Sequence, residues 1–278
     1  MTNEPFTRFL PMTSAANGSV ETVTPDVLVY TNQIVNLFFI RLKGDAEWIL
    51  VDAGMPKSGD SIKEEAEKLF GGGARPKAIL LTHGHFDHIG GLDRLLEFWP
   101  GVPVYAHEME LPFLTGMKDY PEPDSTVEGG MVAKMSKMFP NEGIDISGSV
   151  KAFPEDGSVP EMPDWKWIHT PGHSPGHISL FRERDRVLIA GDAFVTVRQD
   201  ELYKVMTQKK EIAGPPRYFT TDWKAAKDSV LKLNALRPLA AGTGHGLPVF
   251  GEDLQSGLQT LASEFDSLAL PDHGKYVE

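Results

Sequence analysis

The sequence predicts an α/β fold in which β-sheets pack together and helices lie outside them. Three observations lead there. Apolar β-rich runs joined by a turn signal come early in the chain, strand-helix units recur in both halves, and no shift in composition separates the halves. At 278 residues the chain suits one large domain. Residues 1–20 read as a loose N-terminal arm, and 21–278 as a single domain with a Met-rich insertion at about 108–150.

Residues 35–42 and 47–51 favour strands, and Lys43-Gly44-Asp45 between them signals a hairpin. Ser61 and Glu64 have capping-box spacing for a helix over 61–70, with Ile62, Ala66, Leu69 and Phe70 on one face and Gly71 to Gly73 ending it. Residues 77–81 form a short apolar strand that runs into Thr82-His83-Gly84-His85-Phe86-Asp87-His88. A helix with Leu92, Leu95 and Leu96 inward follows, then a strand at 103–106. Segment 108–150 breaks the rhythm and holds five of the ten methionines: Met109, Met117, Met131, Met135 and Met138. The last three share helical spacing with Val132 and Phe139, which predicts a small packed helix; an adaptable Met-lined wall over a site is the functional alternative. Strands resume at 165–169, 178–181 and 187–190. A helix over 222–236 carries Trp223, Ala226, Val230 and Leu233 on one face. A final strand at 238–242 precedes a last helix marked by Leu254, Leu258, Leu261 and Phe265.

Hydrophobic residues make up 41% and charged residues 24% of the chain, which fits a globular protein and excludes disorder. The net charge of −12 argues against a nucleic-acid partner, whose binders carry a basic surface. No apolar run reaches the ~18 residues of a membrane span. Residues 1–20 lack the apolar stretch of a signal peptide, so a cytoplasmic protein is expected. Without cysteine, any metal must be held by His and carboxylate.

The chemically distinctive residues follow predicted strands, where the sheet fixes the strand ends and the loops converge. His83-x-His85-x-Asp87-His88 packs four potential ligands into six residues. Gly84 lets the turn bend between two of them, and Gly90-Gly91 lets the next helix pack close. A solvated turn would be polar too, but similar residues recur at other strand ends. These are Asp52, His173 in Thr170-Pro171-Gly172-His173, Asp192 in Gly191-Asp192-Ala193, and His245 in Thr243-Gly244-His245-Gly246. His107, His169, His177 and His273 are read as non-ligands: a helix start, a strand or supporting residue, a backbone-bonding residue and an exposed tail residue.

In this order the motifs resemble those of the metallo-β-lactamase superfamily, over roughly residues 20–265. The resemblance implies a four-layer αββα sandwich with two metal ions at one edge of the sheets. It implies that His83, His85 and His173 hold the first ion, that Asp87, His88 and His245 hold the second, and that Asp192 bridges them. Asp52 would stand behind the ligands and orient one of them. Zinc is the expected metal, and iron, manganese or cobalt also suit such donors. Two cations about 3.5–4 Å apart share a water and lower its pKa toward ~7, so that a bridging hydroxide attacks a carbonyl carbon. The resemblance also gives Asp87 a catalytic role, carrying a proton to the leaving group.

Within the family the metal set is similar to that of acyl-homoserine lactonases, including His173-Ser174-Pro175-Gly176-His177. Phe194 and Val195 stand where those enzymes carry a tyrosine, which leaves Tyr203 or Tyr218 to replace it. Glyoxalase II shares the ligands but has a basic helical extension, whereas the 33 residues after His245 contain Lys275 as their only lysine or arginine. Persulfide dioxygenases hold one iron through two His and one Asp; the full set of Asp87, His88 and His245 favours two metals. A non-catalytic binding protein on this fold would have lost ligands, and none is missing. The expected function is hydrolysis of an ester or lactone with an apolar part, with glyoxalase II-like thioester cleavage and mononuclear-iron dioxygenation as alternatives. Phe194, Arg198 and Tyr203 are candidate substrate contacts, and Phe219 and the methionines complete an apolar wall. The expected partner is a small molecule, with the protein a monomer or homodimer.

Overall fold

The computed structural model describes residues 12–42 and 47–277. One sheet has seven strands in chain order: β1 (Val20–Thr24), β2 (Val27–Asn32), β3 (Val35–Arg41), β4 (Trp48–Val51), β5 (Ile79–Leu80), β6 (Val104–Ala106) and β7 (Val150–Ala152). Its first four strands are antiparallel, and β4 to β7 pair in parallel. A second sheet holds five strands: β8 (Trp165–His169), β9 (Ile178–Arg182), β10 (Val187–Ile189), β11 (Ala240–Gly242) and β12 (Val249–Phe250), in the spatial order β12-β11-β10-β9-β8. The helices are α1 (Gly59–Phe70), α2 (Phe86–Ile89), α3 (Leu92–Phe98), α4 (Leu111–Leu114), α5 (Met131–Met135), α6 (Leu202–Thr207), α7 (Trp223–Ala235), α8 (Gly251–Ser263) and α9 (Phe265–Leu268).

Successive strand residues point to opposite faces, and both faces are covered here. From β3 and β4, Leu37, Phe39, Trp48 and Leu50 turn outward onto Ile62 and Ala66 of α1 and Leu92 and Leu95 of α3. Phe38, Ile40, Ile49 and Val51 turn the other way, onto Ile178 and Leu180 of β9 and Val187 and Ile189 of β10. The second sheet's outer face, with Phe181 and Leu188, meets Trp223 and Val230 of α7 and Leu254 and Leu258 of α8. Three apolar cores thus separate four layers, and the architecture is the αββα sandwich that the resemblance implied.

Several local expectations need correction. The hairpin of β1 and β2 escaped the sequence reading because β2 is buried along its whole length, so no polar alternation marks it. Of the expected loose arm, residues 1–11 lie outside the described residues, but the part that follows is tied down. Met12 is buried, Ser14 N–H donates to the Gln33 carbonyl (3.0 Å) and Ala15 N–H to that of Met206 (2.9 Å). The turn at Lys43-Gly44-Asp45 also lies outside the described residues. α1 begins at Gly59, ahead of the supposed capping box, and Ser61 Oγ donates to the Ser58 carbonyl (2.8 Å) instead of capping. The predicted methionine helix exists as α5 and the 3-10 turn after it, but Val132, Ala133 and Phe139 point inward. Met131 and Met138 face out, 58% and 46% exposed, because these short turns pack through their smaller and aromatic residues.

Candidate metal centre

Each cluster residue follows a strand that ends at the same edge of the sandwich. Asp52 follows β4, His83 to His88 follow β5, His173 follows β8, Asp192 follows β10 and His245 follows β11. Backbone hydrogen bonds then stitch the loops together. Ala53 N–H donates to the His88 carbonyl (2.6 Å), Gly244 N–H to Gly191 (2.8 Å) and, between the sheets, Ile178 N–H to Thr82 (2.9 Å). Gly90 is needed for this closeness, since a Cβ there would lie 2.2 Å from Pro56 N. Gly84 is required for a different reason from the one expected. Its φ is not positive, but a Cβ would lie 2.4 Å from the Tyr120 hydroxyl.

The loops bring all seven expected ligands together, buried to within a few per cent. Donor atoms of His83, His85 and His173 lie within 4.8 Å of one another, as do those of Asp87, His88 and His245. Asp192 Oδ2 stands between the two groups, 3.4 Å from His173 Nε2, 3.6 Å from His88 Nε2 and 3.2 Å from His245 Nε2. His83 Nε2, His88 Nε2 and Asp192 Oδ1 are buried with no hydrogen-bond partner among the described residues. Orphaned buried polar atoms of this kind are costly unless a ligand satisfies them, and imidazole with carboxylate suits a divalent cation. The residues therefore fit a metal pair.

Supporting groups fix the ring orientations. Asp52, held at φ 62°, accepts from Thr82 N–H and Thr82 Oγ (both 2.8 Å) and from His88 Nδ1 (2.9 Å), which leaves His88 Nε2 facing the cluster. His245 Nδ1 donates to the Ile34 carbonyl (2.9 Å). The buried amide of Asn36 donates to the carbonyls of Thr243 (2.9 Å) and Gly246 (2.6 Å), gripping the His245 loop. His177 is a brace, as expected: its Nε2 accepts from Asp192 N–H (2.8 Å) while Nδ1 faces the Thr170 carbonyl (3.1 Å). His107 caps a short 3-10 turn, and His169 Nε2 donates to the Pro175 carbonyl (2.8 Å).

The charges divide the centre into two halves. Burial and neighbouring imidazoles push His83 well below its ordinary value, and burial takes His85 down to about 3, so the three-histidine group is neutral. Burial also opposes charge on His88, but Asp192, Asp52 and Asp87 outweigh it and hold that ring well above its ordinary value. His245 is raised in the same way, chiefly by Asp192 against burial. The second half is thus a pocket of negative charge that takes up protons when no metal neutralises it.

Comparison with known proteins decides the family. The sequence model of the metallo-beta-lactamase superfamily matches residues 30–245, a span that takes in all seven clustered residues. The chain belongs to the metallo-beta-lactamase superfamily. It is 49% identical over 261 residues to the probable metallo-hydrolase YflN of Bacillus subtilis strain 168, covering 94% of this chain and 98% of that one. It is 27% identical to a hydroxyacylglutathione hydrolase of Xylella fastidiosa strain M23, over 61% of this chain and 49% of that enzyme. Among solved structures, BJP-1, a subclass B3 metallo-beta-lactamase of Bradyrhizobium japonicum, superposes with a TM-score of 0.59 at 23% identity, covering 90% of this chain and 93% of that one. This last likeness shows the fold.

The expected substrate contacts lie elsewhere in this metallo-beta-lactamase fold. Phe194 is fully buried in the core between the second sheet and its helices, and offers no surface to a substrate. Tyr203 on α6 is 74% exposed, and Arg198 is engaged by Glu211 (3.1 Å). Of the residues expected in the apolar wall, Phe219 does reach the centre, stacking on His85 with ring centroids 4.5 Å apart. Tyr218, the other tyrosine expected as a replacement, lies near it too, and Glu110, which the sequence reading missed, bonds the loops that carry it. Tyr218 is a buried phenol raised well above its ordinary value by burial and by the charges of Asp87, Asp192 and Asp200. Glu110 is a fully buried carboxylate at the end of the short 3-10 turn (Glu108–Glu110) that follows β6.

Proposed function

We propose that this protein is a dinuclear metal-dependent hydrolase of a small ester or lactone with an apolar part. The observation that carries the reading is Asp192 Oδ2, within 3.2 to 3.6 Å of nitrogens from both ligand groups. His83, His85 and His173 would hold one divalent ion, Asp87, His88 and His245 the other, and Asp192 both, zinc being the first choice and iron, manganese or cobalt the others. When bound, such ions supply Lewis acidity and bring the pKa of a water toward ~7. The chain's own residues do the rest. Asp52 and the Ile34 carbonyl keep His88 and His245 aimed at the centre. Asp87, with Oδ2 3.5 Å from His245 Nε2, is assigned the proton of the leaving group. Tyr218, kept protonated, offers its hydroxyl to the substrate carbonyl in the place that Phe194 cannot fill. Phe219, with Phe86 and Phe139 at centroid distances of 6.1 Å, backs the three-histidine group with apolar surface. We assign the enzyme to the cytoplasm, as a monomer or homodimer acting on a small molecule. No helix among the described residues is long and apolar enough to cross a membrane.

A thioester of the hydroxyacylglutathione kind is the second reading, supported by the Xylella fastidiosa relative. A panel of lactones, aryl esters and thioesters given to the metal-loaded protein separates the two. Lactone or ester cleavage is expected, abolished by His85→Ala and slowed about 10²-fold by Tyr218→Phe if that hydroxyl meets the developing oxyanion. Cleavage of thioesters alone would favour the second reading, and inertness toward the whole panel would sink both.

A further inference from the structure

The two ligand groups share the brace of Asp52, but the three-histidine group has a further one, a buried acid that no motif announces. Glu110 is 0% exposed. Its Oε2 accepts from Gly84 N–H (2.9 Å) and from the Tyr120 hydroxyl. Its Oε1 accepts from Ser174 Oγ (2.8 Å) and Gly176 N–H (2.7 Å). Gly84 lies between His83 and His85 in the loop after β5, whereas Ser174 and Gly176 follow His173 in the loop between β8 and β9. A single carboxylate therefore ties a loop of the first sheet to a loop of the second. The chain is shaped around it: a Cβ on Gly176 would lie 2.7 Å from Glu110 Cγ, and one on Gly84 would strike Tyr120. Tyr120 in turn packs its ring against His85, centroids 4.7 Å apart. Hydrogen bonds to an ionised acceptor are strong, and a buried carboxylate needs them all.

We propose that Glu110 is a positioning residue that sets the spacing of the His83, His85 and His173 group, and with it the metal affinity of that half of the centre alone. The proposal rests on the reading of this group as a metal site. His85 Nδ1 and His173 Nε2 stand 3.0 Å apart on the two loops that Glu110 joins. Glu110 touches neither His88 nor the His245 loop: Asp52 holds His88 and, through Thr82 Oγ, also reaches His83 Nδ1 (3.1 Å), while Asn36 grips the His245 loop. Glu110→Gln puts an amide donor against a donor and loosens one loop, so its effect should be confined to one ion.

The test is equilibrium competition for zinc against a chromophoric chelator, using the full-length chain. In a His245→Ala background, which disables the acidic half, adding Glu110→Gln should weaken the remaining zinc equilibrium by about 10–100-fold. In a His85→Ala background the same change should leave the remaining equilibrium unaltered. Tyr120→Phe removes one donor from Glu110 without changing its charge, and should show the same one-sided effect at smaller size even if Glu110→Gln does not fold. Equal weakening in both backgrounds, or none in either, overturns the proposal. Failure of the parent chain to bind zinc, or any divalent metal tried in its place, would overturn instead the metal reading beneath it.

Discussion

At the scale of single residues, the centre is organised by what sits behind each candidate ligand. Asp52 accepts a hydrogen bond from His88 Nδ1 and so decides which nitrogen faces the cluster. The same carboxylates that orient the rings also set their charge. His88 and His245 are raised above their ordinary value in the metal-free protein, while His83 and His173 are pushed well below it. A ligand with a raised value carries a proton until pH climbs through that value, and a metal must expel it. Ligands with lowered values carry none near neutrality. Loading the acidic half should therefore release protons near neutral pH, and loading the three-histidine half should release few. Calorimetric titration of zinc in buffers of differing ionisation enthalpy reads this directly. Equal release from the two halves would refute the division of charge described for them.

At the scale of elements, the site exists because strand ends are held at van der Waals distance. Gly90 shows the constraint most simply, since its φ of −64° suits any residue and only crowding excludes a side chain. A Cβ there meets Pro56 N at 2.2 Å and Met55 C at 2.4 Å. Gly90→Ala should cost about 1–3 kcal/mol by overpacking, because backbone on both sides has little room to yield. Urea denaturation checks this, and an unshifted midpoint would show that the Asp52–Pro56 turn is looser than its contacts indicate. Elements also explain what the sequence disclosed. The seven clustered residues were legible because each lies in a short run immediately after a strand, so chemistry and placement are both local. Glu110 was not, because its meaning comes from distant neighbours: it meets Gly84 and Gly176, 26 and 66 positions away. Phe194, Arg198 and Tyr203 were placed by proximity to Asp192 in sequence. The fold sends Phe194 into the core, pairs Arg198 with Glu211 and turns Tyr203 to solvent.

At the scale of the molecule, the two sheets are what make a two-part centre. The first sheet supplies His83, His85, Asp87 and His88, and the second supplies His173, Asp192 and His245. Each ligand group therefore draws on both sheets, and the packing of Phe38, Ile40, Ile49 and Val51 against β9 and β10 keeps the halves in register. The architecture was legible in outline from strand-helix recurrence and from the order of the motifs. The fully buried β2 and the outward-facing methionines were hidden, because burial on both faces erases alternation and helical spacing does not say which face is inward. On the proposed function, this frame would hold two ions that share Asp192. Elemental analysis of the full chain, stripped by chelator and reloaded, tests it most directly. Two metal ions per chain, with one lost on His85→Ala and the other on His245→Ala, is the result expected. A single iron per chain, indifferent to His245→Ala, would contradict it and point to mononuclear chemistry.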